Sequence, residues 1–128
     1  MTADKVVDCS ALAAVLLDET PADIVSARLK EQRLLAPALL PFEMVSVCWK
    51  KAKKYPEKID IFLAAVDRFC RIPIQIVEID FRAILPLAQR HRLTTYDASY
   101  LWLALELGVE LVTLDAELGR AYAAALQR

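Results

Sequence analysis

Four acidic residues stand where an α/β chain commonly builds chemistry. Asp8 directly follows the apolar pair Val6-Val7, and Asp115 directly follows Leu111-Val112-Thr113-Leu114, so both fall at the carboxyl end of an expected inner strand. Glu43 falls in the first turn of a helix expected after Pro37, and Asp97 in the first turn of one expected after Leu93. With right-handed crossovers between parallel strands, all four converge on one edge of the sheet. Carboxylates gathered without cations repel and raise one another's pKa, so such a cluster calls for a positive occupant. Mg²⁺ or Mn²⁺ suits an all-oxygen set, keeps waters in its shell and activates one of them. Each acid also has a purely local explanation. Asp97 completes a capping box with Thr94, Glu43 suits the dipole of a first helical turn, Asp115 caps the last helix, and Asp8 starts an Asx turn.

The elements that must position these acids are readable from periodicity and caps. Short apolar runs at Val6-Val7, at Leu34 to Pro37 and over Glu110 to Leu114, and the alternation of Ile74 to Ile79, predict strands. Helices are predicted over Ala11 to Leu17 and from Thr20-Pro21, with the Thr20 hydroxyl as cap, to about Gln32. Further helices are expected from Pro41 through the lysines ending at Lys54, over Ile59 to Phe69, over Phe81 to His91 with a kink or delay at Pro86, over Tyr96 to Leu107, and from Ala116 to about Leu126. Gly108 is placed to end the helix before it. Alternation of helices and short strands without hairpin turns gives an α/β class with a parallel sheet.

The 128 residues, 57% of them hydrophobic, suit one compact domain spanning 1–128. Only 2 Gly exclude a glycine-rich phosphate loop. Cys9, Cys48 and Cys70 are widely spaced in apolar surroundings, which predicts buried free thiols and a cytoplasmic location. The sole histidine, His91, falls at a helix end, and no cysteine pair is spaced to complete a zinc site with it. No apolar run reaches the roughly 18 residues of a membrane span, and Asp8 interrupts the run that a signal peptide needs. Net charge is −1, yet bases lead 10 to 5 between Trp49 and Arg92 and acids lead on either side. A cationic surface beside an anionic pocket is one reading of that distribution; ordinary solvated helix faces are the other.

Four segments together resemble the PIN domain, in particular the VapC-type ribonuclease toxins: Val6-Val7-Asp8-Cys9-Ser10-Ala11-Leu12, Ala36-Pro37 through Glu43, Leu93-Thr94-Thr95-Tyr96-Asp97-Ala98-Ser99-Tyr100-Leu101, and Leu111-Val112-Thr113-Leu114-Asp115. The likeness runs almost the whole length and is most specific around Asp97. It implies a three-layer α/β/α domain with a central parallel sheet and metal-dependent endonucleolytic hydrolysis of single-stranded RNA. It further implies that Asp8, Glu43, Asp97 and Asp115 are the acidic quartet around Mg²⁺ or Mn²⁺, with Ser10 and Thr113 as hydroxyl positions beside it. Attack in line by a metal-activated water, a homodimer, and a cognate antitoxin of a toxin-antitoxin pair complete what the resemblance implies. Ser46 stands where members of the family often carry Asn, and no further strand pattern follows the last helix.

Lys50, Lys51, Lys53, Lys54, Arg68 and Arg71 are expected to track an RNA backbone toward the acids. Trp49, Trp102, Tyr96 and Tyr100 are expected in the core or at a dimer contact rather than stacked on bases. The helix over Tyr96 to Leu107 and the one after Pro41 are the candidate shared interfaces. A phospho-receiver domain wants neighbouring acids after the first strand and a late Lys, and a haloacid-dehalogenase-like phosphatase wants an acid where Ser10 stands. The remaining rival is a PIN-like protein- or RNA-binding module without catalytic activity.

Overall fold

The computed structural model describes residues 2–127. The chain runs β1 (Asp4–Val7), α1 (Cys9–Leu16), α2 (Ala22–Leu29), β2 (Arg33–Ala36), α3 (Leu40–Lys54), a 3₁₀ turn (Pro56–Lys58) and α4 (Ile59–Arg71). It continues through β3 (Ile74–Ile76), α5 (Phe81–His91), α6 (Thr95–Leu107) and β4 (Glu110–Val112) to α7 (Ala116–Leu126). The four strands form one sheet of order β3-β2-β1-β4, and every pairing is parallel. Val6 pairs with Leu35 on one side and Leu111 on the other, so β1 is a central strand with Val6 and Val7 wholly buried. Strands buried on both faces read as continuous apolar runs, which is why β1 was legible without alternation, whereas the exposed edge strand β3 was read from alternation.

The chain steps outward from β1 to β2 to β3, then crosses back to lay β4 on the far side of β1. Right-handed crossovers in opposite directions send their helices to opposite faces. Accordingly α1 to α4 pack on one another, while α5, α6 and α7 form a separate group in which α6 lies against β1 and β4. Between β1 and β4 the strand order reverses, and a crevice opens beyond their carboxyl ends. Among the described residues no helix is long and apolar enough to cross a membrane.

Several boundaries differ from the sequence reading, each for a local reason. α2 begins at Ala22 without a side-chain cap, because the Glu19 carbonyl accepts the Ala22 N–H at 2.6 Å and the Pro21 carbonyl those of Ile24 and Val25. α5 runs through Pro86 unbroken; Pro86 is exposed, so its missing N–H falls on the solvent side. β3 stops at Ile76 because Asp80 caps α5 four residues later, accepting from the Arg82 N–H at 3.0 Å. β4 stops at Val112 because the next N–H groups turn to side-chain hydroxyls. Gly108 ends α6 in the left-handed region at φ +65, as its position predicted.

Cys9 and Cys48 are buried thiols, but Cys70 is exposed. α4 turns Phe62, Ala65 and Phe69 inward, and Cys70 lies one step round the helix from Phe69. Trp49 and Tyr96 are likewise exposed, at 60% and 62%, whereas Tyr100 is buried and Trp102 partly so. Most of α6 is covered by its own chain, whereas α3 presents Phe42, Val45 and Trp49 outward, as α4 does Ile59, Ile61 and Leu63 and α5 does Phe81 and Leu85.

Candidate active site

The crevice is a cleft of about 560 Å³ whose lining includes Asp8, Glu43, Asp97 and Asp115. Asp8 ends β1 and is the N-cap of α1; its Oδ1 accepts the Ala11 N–H at 3.1 Å. Asp115 follows β4 and caps α7, accepting the Leu118 N–H at 2.9 Å. Asp97 lies in the first turn of α6, where its own N–H is held by the Thr94 hydroxyl at 3.1 Å. Glu43 lies in the first turn of α3. Four helix starts therefore carry the four acids, and helix N-termini favour negative charge. The local explanations are accurate for Asp115 as a cap and for Glu43 in a first turn; Asp8 caps α1 through the Ala11 N–H rather than starting an Asx turn, and for Asp97 only the Thr94 half of the box forms. Among the described residues the Asp97 carboxylate accepts no hydrogen bond.

β4, expected as an inner strand, lies at the edge of the sheet beside central β1, and Ser10 and Thr113 tie the carboxyl ends of these two strands together. The Ser10 hydroxyl donates to Asp8 Oδ1 at 2.7 Å and accepts the Leu114 N–H at 2.9 Å. The Thr113 hydroxyl donates to Asp8 Oδ2 at 2.5 Å and accepts the Asp115 N–H at 3.0 Å. Both oxygens of Asp8, which is only 4% exposed, are thus fixed. Tyr100 does the same for Glu43, its hydroxyl donating to Oε1 at 2.6 Å.

Electrostatics in the cleft are uncompensated. Burial pushes the Asp8 carboxyl above its ordinary value, against three hydrogen bonds that favour the charged form, and Asp115 adds repulsion. Glu43 is raised by burial, with the Tyr100 bond opposing and Asp97 and Asp8 reinforcing. Asp97 is raised by burial and then by Asp115, Asp8 and Glu117. The Cys9 thiol, which also lines the cleft, is pushed up to about 12, chiefly by burial, and stays protonated. Among the described residues none of the four acids forms an ion pair.

The donor set is all oxygen and anionic, which fits a hard dication and not a soft one. Among the described residues, however, no three of the side chains are gathered into a closed ligand set. The cleft offers ligands of the right kind around an open space rather than a preformed cage.

The basic residues singled out in the sequence do not share one surface. Lys50 lines the cleft. Lys51 pairs with Glu19 at 3.3 Å, Lys53 stands over the Trp49 ring, and Lys54 over Tyr55. Arg68 donates to the Leu16 carbonyl, and Arg71 is exposed at the end of α4. Ser46 lines the cleft beside Glu43. Sequence reasoning assigns no positioning role to Tyr100, although it stands three residues after Asp97 on one helix face, spacing that sets it beside the acids.

Comparison with known proteins agrees with this architecture. The PIN domain profile matches residues 5–124. Ribonuclease VapC3 of Pyrobaculum aerophilum is 27% identical over 124 residues, covering 93% of this chain and 95% of that protein. The crystal structure of PAE2754 from Pyrobaculum aerophilum superposes with a TM-score of 0.67 at 24% identity, covering 100% of this chain and 97% of the other. With the profile running from the first strand into the last helix, over the same strand ends that carry the acids, the chain belongs to the PIN domain family.

Proposed function

We propose that this protein is a metal-dependent endoribonuclease that hydrolyses phosphodiester bonds of single-stranded RNA, acting in the cytoplasm as the toxin of a VapBC-type toxin-antitoxin pair. The observation that carries the reading is a cleft lined by four carboxylates, none of them ion-paired among the described residues, at the strand-order reversal of a PIN domain. The name of the similar Ribonuclease VapC3 supports RNA as substrate.

Asp8, Glu43, Asp97 and Asp115 would hold Mg²⁺ or Mn²⁺, which when bound supplies a nucleophilic water and offsets charge on a phosphoryl oxygen. The chain's own contribution is orientation. Ser10 and Thr113 fix both oxygens of Asp8, and Tyr100 fixes one oxygen of Glu43. Asp97 and the second oxygen of Asp115 are left to move toward a ligand, since no hydrogen bond among the described residues restrains them. Lys50 at the rim offers a cation to a phosphate of the strand.

The partners belong to the same proposal. Phe42 and Tyr96, 77% and 62% exposed, line or border the acidic cleft, and Phe81 and Leu85 line an apolar depression that shares Leu39 and Tyr96 with it. An exposed apolar surface of this kind suits a protein partner, either an antitoxin segment or a second copy in a homodimer.

Incubating purified protein with total cellular RNA and Mg²⁺ or Mn²⁺ tests the activity. Discrete cuts that vanish with chelator and in Asp97→Asn are expected. Identical RNA in all lanes would transfer the assignment to a non-catalytic PIN-like binding module.

A further inference from the structure

A second depression, of about 440 Å³, lies between the end of α5 and α7 and is lined by Arg90, His91, Arg92, Glu117 and Arg120. Among the described residues none of the three arginines forms an ion pair, and Glu117 is the one acid that lines the depression with them. The helix dipole accounts for Arg90 and His91 in the last turn of α5 but not for the others. Arg120 sits in the body of α7. Arg92 closes α5 in the left-handed region at φ 55, where Gly or Asn is the less strained choice.

Two short stretches of chain link the acidic cleft to the depression, from Asp115 to Glu117 and from Asp97 back to Arg92. Glu117 lines the depression, and the Glu117 charge acts on Asp97; the chain from Arg92 to Asp97 is a five-residue step from one site to the other. Lys50, from α3, lines the cleft itself, so cations stand both in the cleft and in the linked depression. We propose that Arg90, Arg92 and Arg120 form a phosphate subsite that holds the RNA backbone next to the acidic cleft. This rests on the nuclease reading. A strand whose scissile phosphate lies among carboxylates needs its neighbouring phosphates neutralised elsewhere, and planar guanidinium groups do so in bidentate fashion.

The test compares a protein with Arg90→Gln, Arg92→Gln and Arg120→Gln against wild type. Binding of a labelled oligouridylate is followed by anisotropy over 50 to 200 mM salt, both proteins carrying Asp97→Asn to prevent cleavage. The subsite predicts about tenfold weaker binding and a salt slope shallower by roughly 0.7 for each phosphate no longer neutralised. With Asp97 intact it predicts a raised KM with kcat retained, and partial recovery with Lys at the three positions. Unchanged affinity and slope would overturn it, whatever the cleavage result. Arginine-dependent binding by a protein that cleaves no RNA would keep the subsite and remove the hydrolytic reading. Loss of polyglutamate binding with RNA binding intact would give the pocket to an acidic protein segment and overturn it.

Discussion

Asp97 is the acid whose removal separates chemistry from folding. Its carboxylate makes no hydrogen bond among the described residues and is raised by burial and three neighbouring carboxylates. Asp97→Asn is expected to reduce RNA hydrolysis by at least about 100-fold while leaving the metal-free melting temperature equal or higher. Side-by-side cleavage and thermal melts check both halves. Tyr100→Phe acts indirectly: it frees Glu43 and leaves its part-buried Oε1 without a donor. Loss of about 10- to 100-fold in Mn²⁺ affinity is expected, with secondary structure retained, measured by titration and circular dichroism. The acids themselves were legible in the sequence because strand ends and first helical turns are local features. Tyr100 could be given no role there, since an aromatic at helical spacing reads as core until its hydroxyl has a partner.

The same residues set a pH dependence with a definite sign. Asp8, Glu43 and Asp97 have folded pKa values above their ordinary 3.8, 4.5 and 3.8, so the unfolded chain gives up these protons first. Their stabilising contribution is complete below the ordinary values and is lost as pH rises through the folded ones. Glu110 is opposite: the Arg28 hydrogen bond is the largest cause lowering it beneath 4.5, so its contribution is lost as pH falls through that lower value. Metal-free protein is therefore expected to gain stability from these three acids as pH falls from 7 toward their ordinary values, with a smaller gain in Asp97→Asn, while Glu110 opposes that gain only below its own ordinary value of 4.5. Melts across pH with chelator present check the order of these effects.

At the scale of elements, caps and clamps decide where strands end and acids sit. Thr113→Val removes the donor to Asp8 and the acceptor for the Asp115 N–H. A loss of about 1 to 3 kcal/mol in urea unfolding is expected, because the buried Asp8 loses a donor while the exposed Asp115 N–H can turn to water. Thr94 and Gly108 were readable as the ends of α6 because cap chemistry is local. The α2 cap is the exception: Thr20 and Pro21 have the right composition, yet the backbone turn from Glu19 satisfies the first N–H instead. Pro86 is a similar case, since a proline on the solvent side of a helix leaves the carbonyl four residues back, that of Arg82, to water.

At the scale of the molecule, the order β3-β2-β1-β4 makes one site from residues 8, 43, 97 and 115. That convergence was legible because parallel crossovers have one hand. The surface around it was not. Lysines at 50, 51, 53 and 54 look like one basic run, but a helix turns them to different neighbours, and only Lys50 reaches the cleft. The arginine depression joins residues 90–92 with Arg120, a pairing that no sequence window contains.

The claim that these four carboxylates hold a dication is tested most directly by calorimetric titration of Mn²⁺ into wild type and into Asp8→Asn, Glu43→Gln, Asp97→Asn and Asp115→Asn, each shown folded by circular dichroism. Saturable binding by wild type that weakens in every variant is the predicted result. Binding that persists unchanged in all four, or is absent from folded wild type, would contradict it.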